Sequence, residues 1–372
     1  RIGVTMEETW LYERKLSAHS ALSGSISPRS NYRVGISAME RDLGKRLSGL
    51  AERTAVWLIR PYGEFRHSFT DVLRMDVGLA YAANTLNGTG AVEPRVTVRW
   101  SITEHGQLAF AAGQRSQLPR AELYFETLFP PYVDNRKLGP ILAREVSLSY
   151  RHALRPHLLL HGAVYMQQLT NVPVNAPSII ASLLPGNGML NAWDGLAGAQ
   201  LSEVGAGENK GVEIGLERRF HHEMFFLVNG TWLDACYSDY LGASRDTRWN
   251  VGYIANAVVG KEWAKQKGSL KRTWGMGLRA NAIGGQRYTP MVTADAPATA
   301  PNSVQDKGTY RVDLRIYLKR ERVGRTGMWA LDLLNATNAR NEAYRYFDQR
   351  QGQVITRYQL GLIPNLSYRI EF

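Results

Sequence analysis

The sequence predicts an all-β chain, a transmembrane antiparallel β-barrel with about sixteen strands present. Three observations predict it. Apolar and polar residues alternate along most of the chain, and period two is the signature of a strand with one apolar face. The polar positions between the apolar ones are often charged, arginine prominent among them. The connections between alternating stretches are short and long by turns.

Taken in order, the alternation predicts strands over 2–13, 19–27, 32–40, 54–66 and 71–83. In the last of these, Leu73, Met75, Val77, Leu79 and Tyr81 oppose Arg74, Asp76, Gly78 and Ala80. The strand at 91–101 sets Val96, Val98 and Trp100 against Arg95, Thr97, Arg99 and Ser101. After 107–117 comes 142–151, where Val146, Leu148 and Tyr150 oppose Glu145, Ser147, Ser149 and Arg151. Strand 157–168 precedes 209–219, with Val212, Ile214 and Leu216 on one face and Glu213, Gly215 and Glu217 on the other. Strands follow at 224–238, 251–263 and 273–284. In 309–320, Tyr310, Val312, Leu314, Ile316 and Leu318 oppose Arg311, Asp313, Arg315, Tyr317 and Lys319. The series closes with 327–337 and 358–372, where Leu366, Tyr368, Ile370 and Phe372 carry the apolar face to the terminal carboxylate.

Short connections read SPRS, HSFT, TEHG, HALRP, HHE and ERVGRT; long ones cover 118–141, 169–208, 239–250, 285–308 and 338–357. Short turns at one end and long loops at the other is how an outer-membrane barrel is built. In hydrocarbon every backbone amide needs a partner within the protein, which only helices and closed barrels supply. An arginine facing lipid at mid-membrane costs about 2–4 kcal/mol, so the arginine face is predicted to line the lumen. The lining residues are then Arg74, Arg95, Arg99, Glu213, Glu217, Arg311, Asp313 and Arg315, with acids pairing some of the arginines. Trp100, Tyr150, Tyr165, Trp232, Trp274, Trp329, Tyr368 and Phe372 fall near strand ends, where interface girdles of aromatic rings lie.

Composition agrees. Of 372 residues, 44% are apolar, and the net charge is +12 from 45 Lys+Arg against 33 Asp+Glu. Such a balance suits nucleic acid, anionic lipid or an acidic ligand. The arginines are scattered through strands and no recognition module is present, so no nucleic-acid partner is expected. Mean hydropathy is −0.29, and no run approaches the ~18 apolar residues of a membrane helix. Barrel strands alternate and average out near neutral. The single cysteine, Cys236, excludes an internal disulfide and a CxxC metal site. His221-His222 reads as a solvated turn rather than a metal pair. The glycine-rich GAGENKG leads into a strand and lacks the helix N-terminus of a phosphate loop. No metal or cofactor is expected.

The stretches GENKGVEIGLERRF, FFLVNGTWLDACYSD, NAVVGKEW, NAIGGQRYTP, YRVDLRIYLK, WALDLLNATN and YQLGLIPNLSYRIEF occur in this order. Together they resemble the C-terminal barrel of TonB-dependent receptors, especially those of Bacteroidota. The upstream stretches VEPRVTVRW, LAFAAGQRSQLP and VYMQQLTNVPV resemble the same family. The resemblance covers about 90–372 and is weaker over 1–89. It implies a barrel of about 22 strands with a plugged lumen. Residues 1–372 would form a single domain, the C-terminal portion of that barrel, with the plug domain absent. It implies uptake of a scarce nutrient (siderophore, glycan or peptide class unresolved) and no enzymatic activity. The implied partners are outer-membrane lipid, the TonB complex through the missing plug, and the outer-membrane assembly machinery; a surface lipoprotein lid is left open. Localisation would be the bacterial outer membrane. Tyr368, Ile370 and Phe372 resemble the assembly signal of such barrels. Substrate contacts are expected from loop arginines and aromatics: Arg120, Tyr124, Phe129, Tyr132, Trp193, Arg345 and Tyr346. Two alternatives stay open: a passive porin, and a soluble β-rich glycosidase with acids such as Asp194, Glu203 and Glu208.

Overall fold

The computed structural model describes residues 10–47, 50–119, 123–124, 135–175, 190, 201–290, 301–348 and 350–372. Twenty strands follow one another: β1 (Trp10–Ser27), β2 (Ser30–Leu47), β3 (Leu50–Ser68), β4 (Leu73–Asn84), β5 (Gly90–Ser101), β6 (Gly106–Gln117), β7 (Ile141–Arg155), β8 (Leu158–Asn175), β9 (Leu201–His221), β10 (Met224–Ser238), β11 (Ser244–Asp246), β12 (Tyr253–Lys267), β13 (Leu270–Ile283), β14 (Arg287–Tyr288), β15 (Val304–Gln305), β16 (Thr309–Arg322), β17 (Arg325–Leu334), β18 (Glu342–Asp348), β19 (Gln353–Tyr358) and β20 (Ile363–Glu371). Among the described residues there is no α-helix.

Sixteen strands make one sheet in the order β1 to β10, β12, β13, β16, β17, β20, with β11 attached to β10. Every pairing is antiparallel and joins strands next to each other along the path. At one end the strands turn back within a few residues. His222 and Glu223, both at positive φ (48° and 60°), close the β9–β10 turn, the primed geometry that matches strand twist. At the other end lie the long connections, together with a tight one at 85–89.

The two faces separate as the alternation predicts. Leu79, Val92, Trp100, Val146, Leu148, Val164, Val212, Ile214, Val228 and Trp232 are all exposed on one face. Arg95, Arg99, Asp76 and Glu64 occupy the other, joined in ion pairs. A large apolar face left open is not a soluble surface. The largest fully buried side chains, among them Tyr237, Leu123, Val172 and Val174, lie at the long-loop end of the chain path. Most of the larger buried side chains thus gather where the ends of strands such as β8 and β10 meet the loops.

Two aromatic levels mark the apolar face. At the short-turn end, Trp263, Trp274, Leu318, Trp329 and Tyr368 face one another across five strands. Trp100 and Tyr150 flank Leu108 in the same way. At the other end Trp232 faces Tyr253. Tyr253 and Trp263 both lie on β12, roughly 33 Å apart at ~3.3 Å per residue. A strand tilt of about 40° reduces this to about 25 Å, the height of an outer-membrane apolar band.

Four expectations change. Residues 10–27 are one continuous strand, where alternation suggested a break between 13 and 19; residues 2–9 lie outside the described residues. The added length carries Arg14, Lys15 and Ser17, polar residues that a strand running past the apolar band accommodates. The terminal strand 358–372 divides into β19 and β20, and β19 pairs with β18 in a loop hairpin. Loop 285–308 likewise holds the β14–β15 pair. Tyr165 belongs to the polar face: its ring covers Gly211, one residue out of phase with exposed Val164 and Val212.

Candidate functional site

The polar face carries the eight predicted lining residues at the predicted phase. Asp76 bridges Arg66 (2.5 Å) and Arg99. Arg95 pairs with Glu64, two strands away. Further round, Arg311 reaches Asp313 at 2.6 Å and Arg315 reaches Asp332 at 3.3 Å. Glu217 lies 3.8 Å from Arg219. Asp313 Oδ1 also accepts the backbone N–H of Asn335 at 2.8 Å, which ties the top of β17 to β16. Arg60 and Arg74 keep buried Nε donors with no hydrogen-bond partner among the described residues. A wall with unmet donors suits a wet or filled interior and not a dry one.

Among the described residues, a large cavity lies at the long-loop end, above β13, β16 and β17. Its volume is about 790 Å³, and its walls come from the two small hairpins that sequence alternation missed. Gly284 and Gly285 make the approach possible. A Cβ at Gly284 would lie 1.8 Å from the Val251 carbonyl oxygen, and one at Gly285 would lie 1.7 Å from that of Asp306. Only glycine lets two backbones come so close. Behind them, Arg287 pairs with Gln305 and Tyr288 with Val304. Gln305 Nε2 donates to the Gly285 carbonyl at 3.1 Å.

Arg345 is the centre of the cavity's charge. Its guanidinium lies 4.8 Å above the Tyr288 ring and pairs with Glu342. Nη2 comes within 2.7 Å of Asp306 Oδ1, yet that buried oxygen has no aligned hydrogen bond. Burial pushes the Asp306 carboxyl above its ordinary range, against the pull of Arg345. Arg248, Lys307 and Tyr344 complete the wall. The arrangement offers cations and ring faces to one solute: guanidinium groups hold carboxylates or chelate anions, and rings stack.

Of the predicted contacts, Arg345 lines this cavity. Tyr346 sits on the same hairpin but turns away, where its hydroxyl accepts from Arg357 Nη2 at 3.2 Å. Tyr124 is buried elsewhere, its hydroxyl without a partner among the described residues and its phenol pushed up by that burial. Arg120, Phe129, Tyr132 and Trp193 lie outside the described residues. Arg248, Tyr288, Asp306, Lys307, Glu342 and Tyr344 were missed. The readable signals were the GG pair and the alternation within EAYRYFD.

Asp234, Cys236 and Asp246 bring three ligand-type atoms within 4.8 Å of one another. Their charge is already met: Lys210 lies 3.3 Å from Asp234 and Arg287 lies 3.1 Å from Asp246. Asn250 Nδ2 donates to both acids, at 2.8 and 2.6 Å. His157, His221 and His222 stack with ring centroids 3.9 Å apart in sequence at the short-turn end.

A wall of this kind, apolar outside and ion-paired inside, with one rim of long loops, is matched by a known family profile. TonB dependent receptor-like, beta-barrel, aligns with residues 22–341. The chain belongs to this family. Solved structures agree on the fold. The FrpB iron transporter from Neisseria meningitidis superposes with a TM-score of 0.65 at 13% identity, covering 97% of this chain and 55% of its own. The ferric yersiniabactin uptake receptor FyuA from Yersinia pestis gives 0.66 at 12%, covering 98% and 55%. The ferric-catecholate import receptor Fiu from E. coli K12 gives 0.67 at 12%, covering 96% and 54%. The receptor barrel described here therefore spans about half the length of these structures. No curated protein sequence matches it. TonB-dependent receptors are outer-membrane proteins that work with TonB, and this places the barrel's apolar face in lipid. The family profile is one of receptor barrels.

Proposed function

We propose that this barrel serves TonB-energised uptake of an anionic, ring-bearing nutrient complex, with the ferric-chelate class that its structural neighbours carry as the first candidate. The observation that carries the reading is the rim cavity in which Arg345, Arg248 and Lys307 stand beside Tyr288 and Tyr344. The polar face is the lumen wall, and Arg74, Arg95, Arg99, Glu213, Glu217, Arg311, Asp313 and Arg315 line it. A plug supplied by the rest of such a receptor meets that wall and couples it to the TonB complex. Tyr368, Ile370 and Phe372 act as the signal read by the assembly machinery. The test is uptake by a Gram-negative host that lacks its own ferric-chelate receptors and expresses the full-length protein. Growth on a ferric chelate that stops when TonB is deleted supports the reading. Growth or solute entry that persists without TonB overturns it in favour of a passive pore.

A further inference from the structure

The apolar face carries a second feature, outside the lumen and the rim cavity. One pleat beyond the Trp263–Trp274–Leu318–Trp329–Tyr368 level, toward the short turns, Lys265 faces Arg272, and Arg272 faces Arg320. One pleat further, Arg322 faces Arg325 across β16 and β17, and Lys267 faces Leu270 across β12 and β13. All six cations are exposed. None of Lys265, Lys267, Arg272, Arg320 or Arg322 has an acidic partner among the described residues. From the aromatic level to the turns, this face of β12, β13, β16 and β17 holds no Asp or Glu. At the same height the opposite face is balanced: Glu321 serves Lys319 at 2.7 Å and Lys271 at 3.7 Å, and Glu371 serves Arg369 at 2.6 Å. Like charges directly opposite on neighbouring strands destabilise a sheet. A three-strand row of them, all turned outward, calls for anions from outside the chain.

We infer that Lys265, Arg272 and Arg320, extended by Arg322 and Arg325, form a binding site for anionic phospholipid of the periplasmic leaflet. Depth argues for a headgroup. The row lies about 7 Å past the aromatic level at ~3.3 Å per residue, and such rings sit at the headgroup boundary. Lys261 lies within the band, its Nζ 5.9 Å from the Trp263 ring, and its stem carries the charge toward the same level. Guanidinium forks bind phosphate bidentately, and strand spacing of about 4.8 Å sets three cations along one or two phosphodiesters. The inference rests on the outer-membrane setting, with the short turns toward the periplasm.

The experiment uses the full-length protein, purified in detergent and offered equal phosphatidylglycerol and phosphatidylethanolamine of one acyl composition. Retained lipids are counted by native mass spectrometry. Folding is read separately, from the heat-dependent shift in gel mobility. The wild type retains phosphatidylglycerol in preference. The Lys265→Gln/Arg272→Gln/Arg320→Gln variant loses that preference by roughly a hundredfold, since each surface cation favours an anionic headgroup about fivefold. A Lys137→Gln/Arg340→Gln/Arg350→Gln variant, equal in charge but at the loop end, keeps it. Equal retention of both lipids by the folded wild type overturns the site, as does an unaltered preference in the first variant or an equal loss in the second. If the triple variant does not fold, Arg272→Gln alone carries the comparison, with a several-fold loss expected and no loss overturning the site. Lipopolysaccharide displacing phosphatidylglycerol from these residues would put the phosphates in the outer leaflet and overturn the assignment. Uptake failing in the TonB test leaves this readout untouched.

Discussion

At the residue scale, Gly285 and Arg345 decide what the rim cavity can do. A methyl group at Gly285 collides with backbone and not with a movable side chain. Gly285→Ala is therefore expected to part the 283–290 segment from Asp306 and open the cavity, costing about 1–3 kcal/mol. Faster hydrogen exchange across 283–290 and 304–309 checks this. Arg345→Gln keeps the Tyr288 contact surface but removes the charge. Its ligand affinity is expected to fall about tenfold, as the loss of one charge-assisted hydrogen bond dictates, measured by quenching of intrinsic fluorescence. Asp306 makes the cavity pH-dependent. Its carboxyl titrates above the ordinary value, so its contribution to stability is full below that value and is lost as pH rises through the raised one. Asp306→Asn should therefore slow exchange of these amides at pH 7 and leave it unchanged below the ordinary carboxylate range, once intrinsic rates are corrected.

At the element scale, the strands of the wall were legible and the loop strands were not. Burial makes the difference. In β5, Arg95 and Arg99 must face away from lipid, so the phase of Val96, Val98 and Trp100 is forced and shows in the sequence. In β14 and β15 no lipid enforces a phase; two residues each suffice, and their pairing depends on Gly284 and Gly285 meeting the backbone of Val251 and Asp306, remote in sequence. Tyr165 was misassigned because a tyrosine near a strand end fits a girdle or a lumen equally well. Its place is set by Gly211 on the next strand, which leaves room for the ring. The last strand offers a separate test. Phe372 lies beyond β20 and is 92% exposed, with the Arg325 guanidinium carbon 6.0 Å from its ring centroid. Phe372→Ala should cost the folded barrel less than about 0.5 kcal/mol. A several-fold fall in outer-membrane protein with unchanged denaturant midpoint is the outcome expected of an assembly signal. Undiminished insertion would remove Phe372 from that role.

At the scale of the whole molecule, one division organises everything: lipid on one side of the wall, water and ion pairs on the other. Val228 and Asn229 are consecutive in β10 and fall on opposite sides. Val228 is exposed among apolar residues, while Asn229 Oδ1 accepts from Asn256 Nδ2 at 3.0 Å. Val228→Arg should cost about 2–4 kcal/mol and Asn229→Arg about 1 or less, measured by urea unfolding in lipid vesicles. Equal costs would refute the division. Family and fold class were readable from the ordered stretches and their alternation. The ligand was not, because it depends on hairpins and glycine contacts that no periodicity announces.

The staves are also of unequal height. β9 has 21 residues and β8 has 18, whereas β17 has 10 and β20 has 9. Measured from a common base of short turns, the tallest strand overtops the shortest by roughly 25–30 Å after tilt. The parapet is thus notched: at its low stretch, between β17 and β20, the chain leaves the wall to build the β18–β19 hairpin that brings Arg345 to the cavity, while β1, β2 and β3 rise to 18, 18 and 19 residues.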